Sequence, residues 1–284
     1  MVLFPLLLAS SIAVPPPGGA ETSSAADQAV HPALWVVKDA DTTIYLFGTF
    51  HALDGTTNWF KSDVKTAFDR SNELILETLV PELPKKNAMN ASPPRQVAAA
   101  GKARFAKRGA PVAGIPQVAP PASLLASTQI VMNASHARGM SSAQGADAIL
   151  REAAENRGET VAGLESFQFQ LNMFSSLPAP ETPAPTSDPQ TMQKISIALA
   201  QLQDAWNRGD ITAFDPMLAQ MRAQSPLSYD TMFVQRNAHW AHWIAERLRQ
   251  PGVIFVAVGA GHLTGPDSVQ NQLAAQGVKS ERIE

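Results

Sequence analysis

Residues 253–262 read VIFVAVGAGH, and this stretch decides the fold. Its first six residues are purely apolar, the most hydrophobic strand in the chain. A strand without polar alternation is covered on both faces, which places helices on both sides of its sheet. Pro251-Gly252 stops the segment before it, and Gly259-Ala260-Gly261-His262 ends it in a polar turn. The same pattern stands near the start of the chain. Residues 42–47 form a β-rich run that passes directly into Gly48-Thr49-Phe50-His51. Residues 34–37 precede it, joined through Lys38-Asp39-Ala40-Asp41, which signals a hairpin.

Two more short apolar runs end in glutamate: 73–76 before Glu77, and 160–164 before Glu165. Helical spacing over 62–71 brings Val64, Ala67 and Phe68 to one face. A second helix is expected over 146–156, with Gly158 as its stop. Further helices are expected over 191–208, 211–223 and 229–249. The last carries an apolar stripe of Phe233, Trp240, Trp243, Ile244 and Leu248. A helix over 267–275 ends at Gly277, and a short strand closes the chain. Residues 81–130 show no strand pattern and read as irregular helix within an insert. Residues 177–190 hold five prolines and read as an exposed loop. Strands, a long helical middle and a final strand give an α/β class: a central mixed β-sheet flanked by helices.

Composition narrows the function classes. Hydrophobic residues make up 45% of 284, enough for a sizeable core. A net charge of −3 argues against nucleic-acid binding, which needs a basic stripe. The absence of cysteine removes disulfides, thiolate ligands and a cysteine nucleophile. No apolar run reaches the ~20 residues of a membrane-crossing helix. Residues 2–14 have the length of a secretory apolar core, broken by Pro15-Pro16-Pro17 and followed by Gly18-Gly19-Ala20, although no Lys or Arg precedes it. The expected organisation is a signal peptide over 1–20, a flexible lead-in over 21–31 and one domain over 32–284. The expected location is the bacterial periplasm or the exterior.

Four strands thus end in a metal-ligand type of residue: His51, Glu77, Glu165 and His262. Ligands of open α/β sheets bind at strand carboxyl ends, so the four converge if these strands lie side by side and parallel. Two imidazoles and one or two carboxylates suit a divalent ion such as Zn²⁺, Mn²⁺ or Co²⁺. Bound water would then ionise near neutral pH. Each His is preceded at three residues by Gly, where an unusual φ or a close approach to the backbone is expected. With 17 Gly and 6 His, chance expects roughly 0.4 such pairs. Two occur, and both follow an apolar strand.

Arg236 lies on the apolar stripe between Phe233 and Trp240, with Asn237 beside it. A core-facing arginine needs an anionic partner or a substrate group. His239 and His242, spaced i, i+3, read as structural or surface residues. His31 and His136 carry no signal. Asp147 reads as an acid in a helical first turn. No G-x-S-x-G, H-E-x-x-H or G-x-x-x-x-G-K motif is present.

In order, the segments ALWVVKDADTTIYLFGTFHAL, ELILET, GADAILREAA, GLESFQFQ, RNAHWAHWI and VIFVAVGAGHLTGPDSV resemble the TraB/GumN family, which is similar to the animal Tiki proteins. The resemblance covers nearly all of residues 33–284. It implies a divalent-metal-dependent hydrolase fold, distantly like the erythromycin esterases. In Tiki proteins the two Gly-x-x-His histidines and a Glu serve a metal-dependent peptidase activity. By motif those roles fall on His51, His262 and Glu77. The family's Arg-Asn pair matches Arg236 and Asn237, and its Gly-Leu-Glu motif matches Glu165. The chain reads GTFH where many members read GTIH, which keeps both the Gly and the His.

Two functions compete. One is an exported metal-dependent hydrolase, a metalloprotease acting on a peptide or other small polar substrate. There His51, Glu77 and His262 hold the ion, Glu77 or Glu165 serves as general base, and Arg236 and Asn237 stabilise the oxyanion. The other is a non-catalytic ligand-binding or accessory protein of envelope or polysaccharide biology, using the same pocket.

Overall fold

A computed structural model describes residues 30–80, 122–178 and 186–283. The expected signal peptide, most of the lead-in, and much of the 81–130 and 177–190 segments lie outside the described residues.

The hairpin that opens the domain is built by its turn. Asp39 Oδ1 accepts the backbone N–H groups of Asp41 (3.2 Å) and Thr42 (2.9 Å), a local substitute for backbone pairing. This sets β1 (Leu34–Lys38) against β2 (Thr42–Thr49), with Leu34 opposite Phe47. β2 pairs in parallel with β5 (Gly252–Gly259), in register from Thr42↔Gly252 to Thr49↔Gly259. On its other side β5 takes β3 (Glu73–Thr78), and β3 takes β4 (Thr160–Glu165), both in parallel. β6 (Ser280–Ile283) closes the opposite edge, antiparallel to β1. The six-stranded sheet is therefore mixed, in the order β4-β3-β5-β2-β1-β6. The α/β class read from the sequence is the class observed.

β5 sits inside this sheet because its residues can tolerate nothing else. Ile254, Phe255 and Val256 are fully buried, and Ala257 and Val258 nearly so. Helices cover the sheet: α1 (Ser62–Arg70), α2 (Ala122–His136) and α3 (Ala146–Asn156) come before β4. Between β4 and β5 the chain is almost wholly helical. It runs through α4 (Phe167–Ser176), α5 (Pro189–Asn207), a 3₁₀ turn at Ile211–Phe214, α6 (Asp215–Gln224) and α7 (Pro226–Tyr229). A π turn at Asp230–Val234 and α8 (Gln235–Arg247) complete it, and α9 (Val269–Ala275) follows β5. No helix among the described residues is long and apolar enough to cross a membrane.

Two expectations are corrected. The proline-rich loop does not extend to residue 190. Asp188 Oδ1 accepts the N–H groups of Gln190 and Thr191, so Pro189 starts α5 at a position that lacks an N–H to satisfy. The helix expected over 229–249 is not a single α-helix, because the π turn interrupts it.

An aromatic group beneath the sheet locks β2. Trp206 packs its ring against Phe47, Phe50 and Trp59, with centroids at 6.2, 6.3 and 5.6 Å. Its Nε1–H donates to the Gly48 carbonyl at 2.8 Å in a buried setting. Trp206→Phe keeps an aromatic ring and removes the donor. A stability loss of about 2 kcal/mol is expected from urea denaturation, the hydrogen bond and some packing together. A loss within experimental error would show that this bond does not anchor the strand.

Candidate active site

Four parallel strands point their carboxyl ends to one edge of the sheet. Along that edge, in spatial order, stand Glu165 at the end of β4, Glu77 near the end of β3, His262 in the 3₁₀ turn Ala260–Leu263 after β5, and His51 just past β2. Side chains from distant segments thus meet in one pocket.

Arg236 is its hub. It reaches the edge from the first turn of α8, immediately after the π turn, in which Gln235 N–H bonds to the Asp230 carbonyl five residues back. Its side chain is 5% exposed, so each N–H needs a partner. Nε donates to Glu165 Oε1 (2.8 Å). Nη2 donates to Glu165 Oε2 and Glu77 Oε2, both at 2.9 Å. Nη1 donates to the Met232 carbonyl (3.3 Å) and to His262 Nε2 (3.2 Å). A guanidinium has five N–H donors, and these contacts engage all five. The guanidinium carbon also sits 4.5 Å from the Trp240 ring centroid. Burial opposes its charge, but Glu77 and Glu165 outweigh that and hold its pKa above the ordinary value.

The two glutamates have different surroundings. Glu165 is 3% exposed at its side chain and accepts four hydrogen bonds: two from Arg236, one from Trp240 Nε1 (3.0 Å) and one from Gln170 Nε2 (3.1 Å). Glu77 takes Arg236 on Oε2 and the Gly259 N–H on Oε1 (2.7 Å), and is 17% exposed. Burial alone would raise the pKa of Glu77. Arg236, then His262 and His51, reverse that and hold the carboxyl well below the usual carboxylate range.

Both histidines are oriented from behind. His262 Nδ1 meets Asn237 Oδ1 at 2.6 Å. The amide NH₂ of Asn237 donates to the Asp267 carbonyl (2.7 Å), so its oxygen faces the ring and Nδ1 carries the proton. Nε2 is left with a lone pair, which accepts from Arg236. Phe233 and Trp240 pack on the ring with centroids at 4.7 and 4.5 Å. Burial pushes the imidazole pKa down to about 3, so the ring is neutral. His51 Nδ1 donates to Asp147 Oδ1 at 2.9 Å, which turns Nε2 toward the pocket. Burial disfavours charge on His51, but Asp147 and then Glu77 raise its pKa above the ordinary value.

The glycine of the second Gly-x-x-His has a different role from the expected one. Gly259 has an ordinary φ of −55°. A Cβ there would lie 3.1 Å from Glu77 Oε1 and 3.2 Å from His51 Nε2. Crowding by the site, and not an unusual backbone angle, excludes a side chain. The same correction holds for Gly48, which is absent from the positive-φ glycines.

The six residues singled out in the sequence, His51, Glu77, Glu165, Arg236, Asn237 and His262, all belong to this one cluster. His239 and His242 stay exposed on the outer face of α8. Asp147, Trp240, Gln170 and Phe233 complete the site without having been assigned to it. As a donor set, His51, Glu77 and His262 suit a divalent ion: both rings are backed at Nδ1, and three carboxylates (Glu77, Asp147, Glu165) face one guanidinium. The arrangement as it stands does not yet present three donors to one point, and no group of three or more His, Asp or Glu side chains among the described residues is set to hold an ion. The obstacle is local, since His262 Nε2 is engaged by Arg236.

Residues 33–282 match the TraB/PrgY/gumN family. No curated protein and no solved structure matches the chain. The chain belongs to the TraB/PrgY/gumN family.

Proposed function

We propose that this member of the TraB/PrgY/gumN family is an exported divalent-metal-dependent hydrolase, peptidase-like in its reaction, acting at the pocket of His51, Glu77 and His262. The observation that carries this reading is the backing of the two rings. Each has its Nδ1 held, by Asp147 or by Asn237, so that Nε2 turns toward the carboxylate of Glu77. Histidines that serve only packing have no need of a fixed tautomer, whereas ligating histidines usually have one. When bound, a divalent ion (Mn²⁺, Co²⁺ or Zn²⁺) would supply an acidified water and a Lewis acid for a carbonyl oxygen.

The chain's own residues divide the remaining work. His51, Glu77 and His262 would hold the ion. Asp147 and Glu77 favour positive charge on or beside the His51 ring. Glu165 is fully engaged by Arg236, Trp240 and Gln170, which suits it to positioning the guanidinium and not to taking a proton from water. Glu77 is the carboxylate that reaches the pocket. Arg236 keeps Glu77 ionised and in place. Phe233 and Trp240 wall the site against water at His262.

A second reading is a non-catalytic ligand-binding or accessory protein of envelope or polysaccharide biology. The full engagement of Arg236, which leaves it no donor for an oxyanion, favours this alternative. Metal analysis combined with a cleavage assay separates the two. Purified protein is expected to carry about one divalent ion per chain, and His51→Ala and His262→Ala are each expected to lose it. Retention of the ion by both variants would overturn the metal reading. Ion binding without turnover of any peptide, ester or glycan library would favour the second.

A further inference from the structure

The donor count of Arg236 leads to a coupling between two kinds of ligand. Four of its five N–H groups go to the carboxylates of Glu165 and Glu77 and to the Met232 carbonyl. The fifth, on Nη1, goes to His262 Nε2 at 3.2 Å. Asn237 occupies the other nitrogen of that ring, and Phe233 and Trp240 hold the ring in its plane. The ring therefore cannot flip to offer a different lone pair. One lone pair serves one partner: it accepts from Arg236, or it ligates an ion.

Resting on the metal reading above, we infer that the Arg236–His262 hydrogen bond is a latch whose release by a divalent ion creates the anion-binding donor of the site. With His262 Nε2 turned to an ion, the Nη1 hydrogen has lost its acceptor. It becomes the one uncommitted N–H of a buried guanidinium, beside Glu77 in the pocket. A buried donor without a partner is unfavourable, so it recruits an oxygen acceptor. The fitting ligand is a carboxylate or a polarised carbonyl oxygen of the substrate. Ion and substrate oxygen then support each other's binding, and the coupling is reciprocal. Glu165, Trp240 and Gln170 stay fixed throughout, because they hold the Nε side of the guanidinium.

The test uses the full chain and Zn²⁺ as the probe. In ¹⁵N-labelled protein, Zn²⁺ is expected to move the Arg236 Nη1 and His262 Nε2 resonances together and to leave the Arg236 Nε–H resonance in place. Calorimetry on Arg236→Lys, which keeps the charge and loses the forked donor, is expected to show Zn²⁺ binding about tenfold tighter than the parent, the equivalent of one ordinary hydrogen bond. Zn²⁺ binding to the parent with no change at Nη1 overturns the latch and leaves the metal reading intact. Binding that appears only in Arg236→Lys supports the latch in its strongest form. Absence of binding in both proteins, with the parent folded, overturns the latch and the metal reading together. Should Arg236→Lys fail to fold, the resonance shifts in the parent decide alone.

Discussion

Glu165→Ala is expected to destabilise the protein by about 3–5 kcal/mol, the usual cost of removing one partner from a buried ion pair. The loss goes beyond one contact. Arg236 would keep its charge at 5% exposure with two of its five donors unmatched, and Trp240 Nε1 and Gln170 Nε2 would each lose an acceptor. Glu165→Gln is expected to cost less, because the amide oxygen still accepts from one of these donors and Glu77 still neutralises the guanidinium. Urea denaturation of the two variants side by side checks this order. An alanine variant as stable as the parent would mean that Arg236 is not held by Glu165, and the site would lose its anchor.

Gly145→Ala is the second large effect. A Cβ at Gly145 would sit 2.2 Å from the His51 carbonyl oxygen and 2.7 Å from the carbonyl carbon. Both are backbone atoms and cannot rotate away, as a flexible side chain could. The chain around His51 would have to separate from the start of α3. That movement breaks the Ala146 N–H bond to the Phe50 carbonyl (3.0 Å) and pulls the His51 ring from Asp147. A stability loss of about 3 kcal/mol is expected, typical of forcing atoms into a packed site. The His51 ring resonances should shift in the same variant. Unchanged stability and an unchanged His51 signal would show that the two segments are not in contact.

Much of this site is legible in the sequence for one reason. A buried parallel strand is a continuous apolar run, and its ligand-bearing residue comes at the end of that run. VIFVAV before Gly259 and ELIL before Glu77 mark their own ends, so convergence on one edge follows from parallel pairing. What cannot be read locally depends on partners distant in the chain. Asp147 is 96 positions from His51, and its own surroundings describe only an acid in a helical first turn. Glu77 and Glu165 look alike as strand-end glutamates. Trp240 and Gln170, reaching Glu165 from α8 and α4, are what make one fully engaged and leave the other beside the pocket. α4 itself is masked by the alternation Phe167-Gln168-Phe169-Gln170, which has the period of a strand. Its helical start is settled by Ser166 Oγ, which accepts the Phe169 N–H at 3.1 Å.

The π turn at Asp230–Val234 amounts to an extra link in an otherwise regular coil. Excising one residue there would restore ordinary winding and improve the local backbone geometry. It would also swing everything downstream by about 100° around the axis, the angular step of one residue. Arg236, Asn237 and Trp240 would then face the wrong neighbours. The aim of the guanidinium is thus set by the length of the segment ahead of it, and single-residue deletions in 230–234 should be more damaging than most substitutions at the same positions.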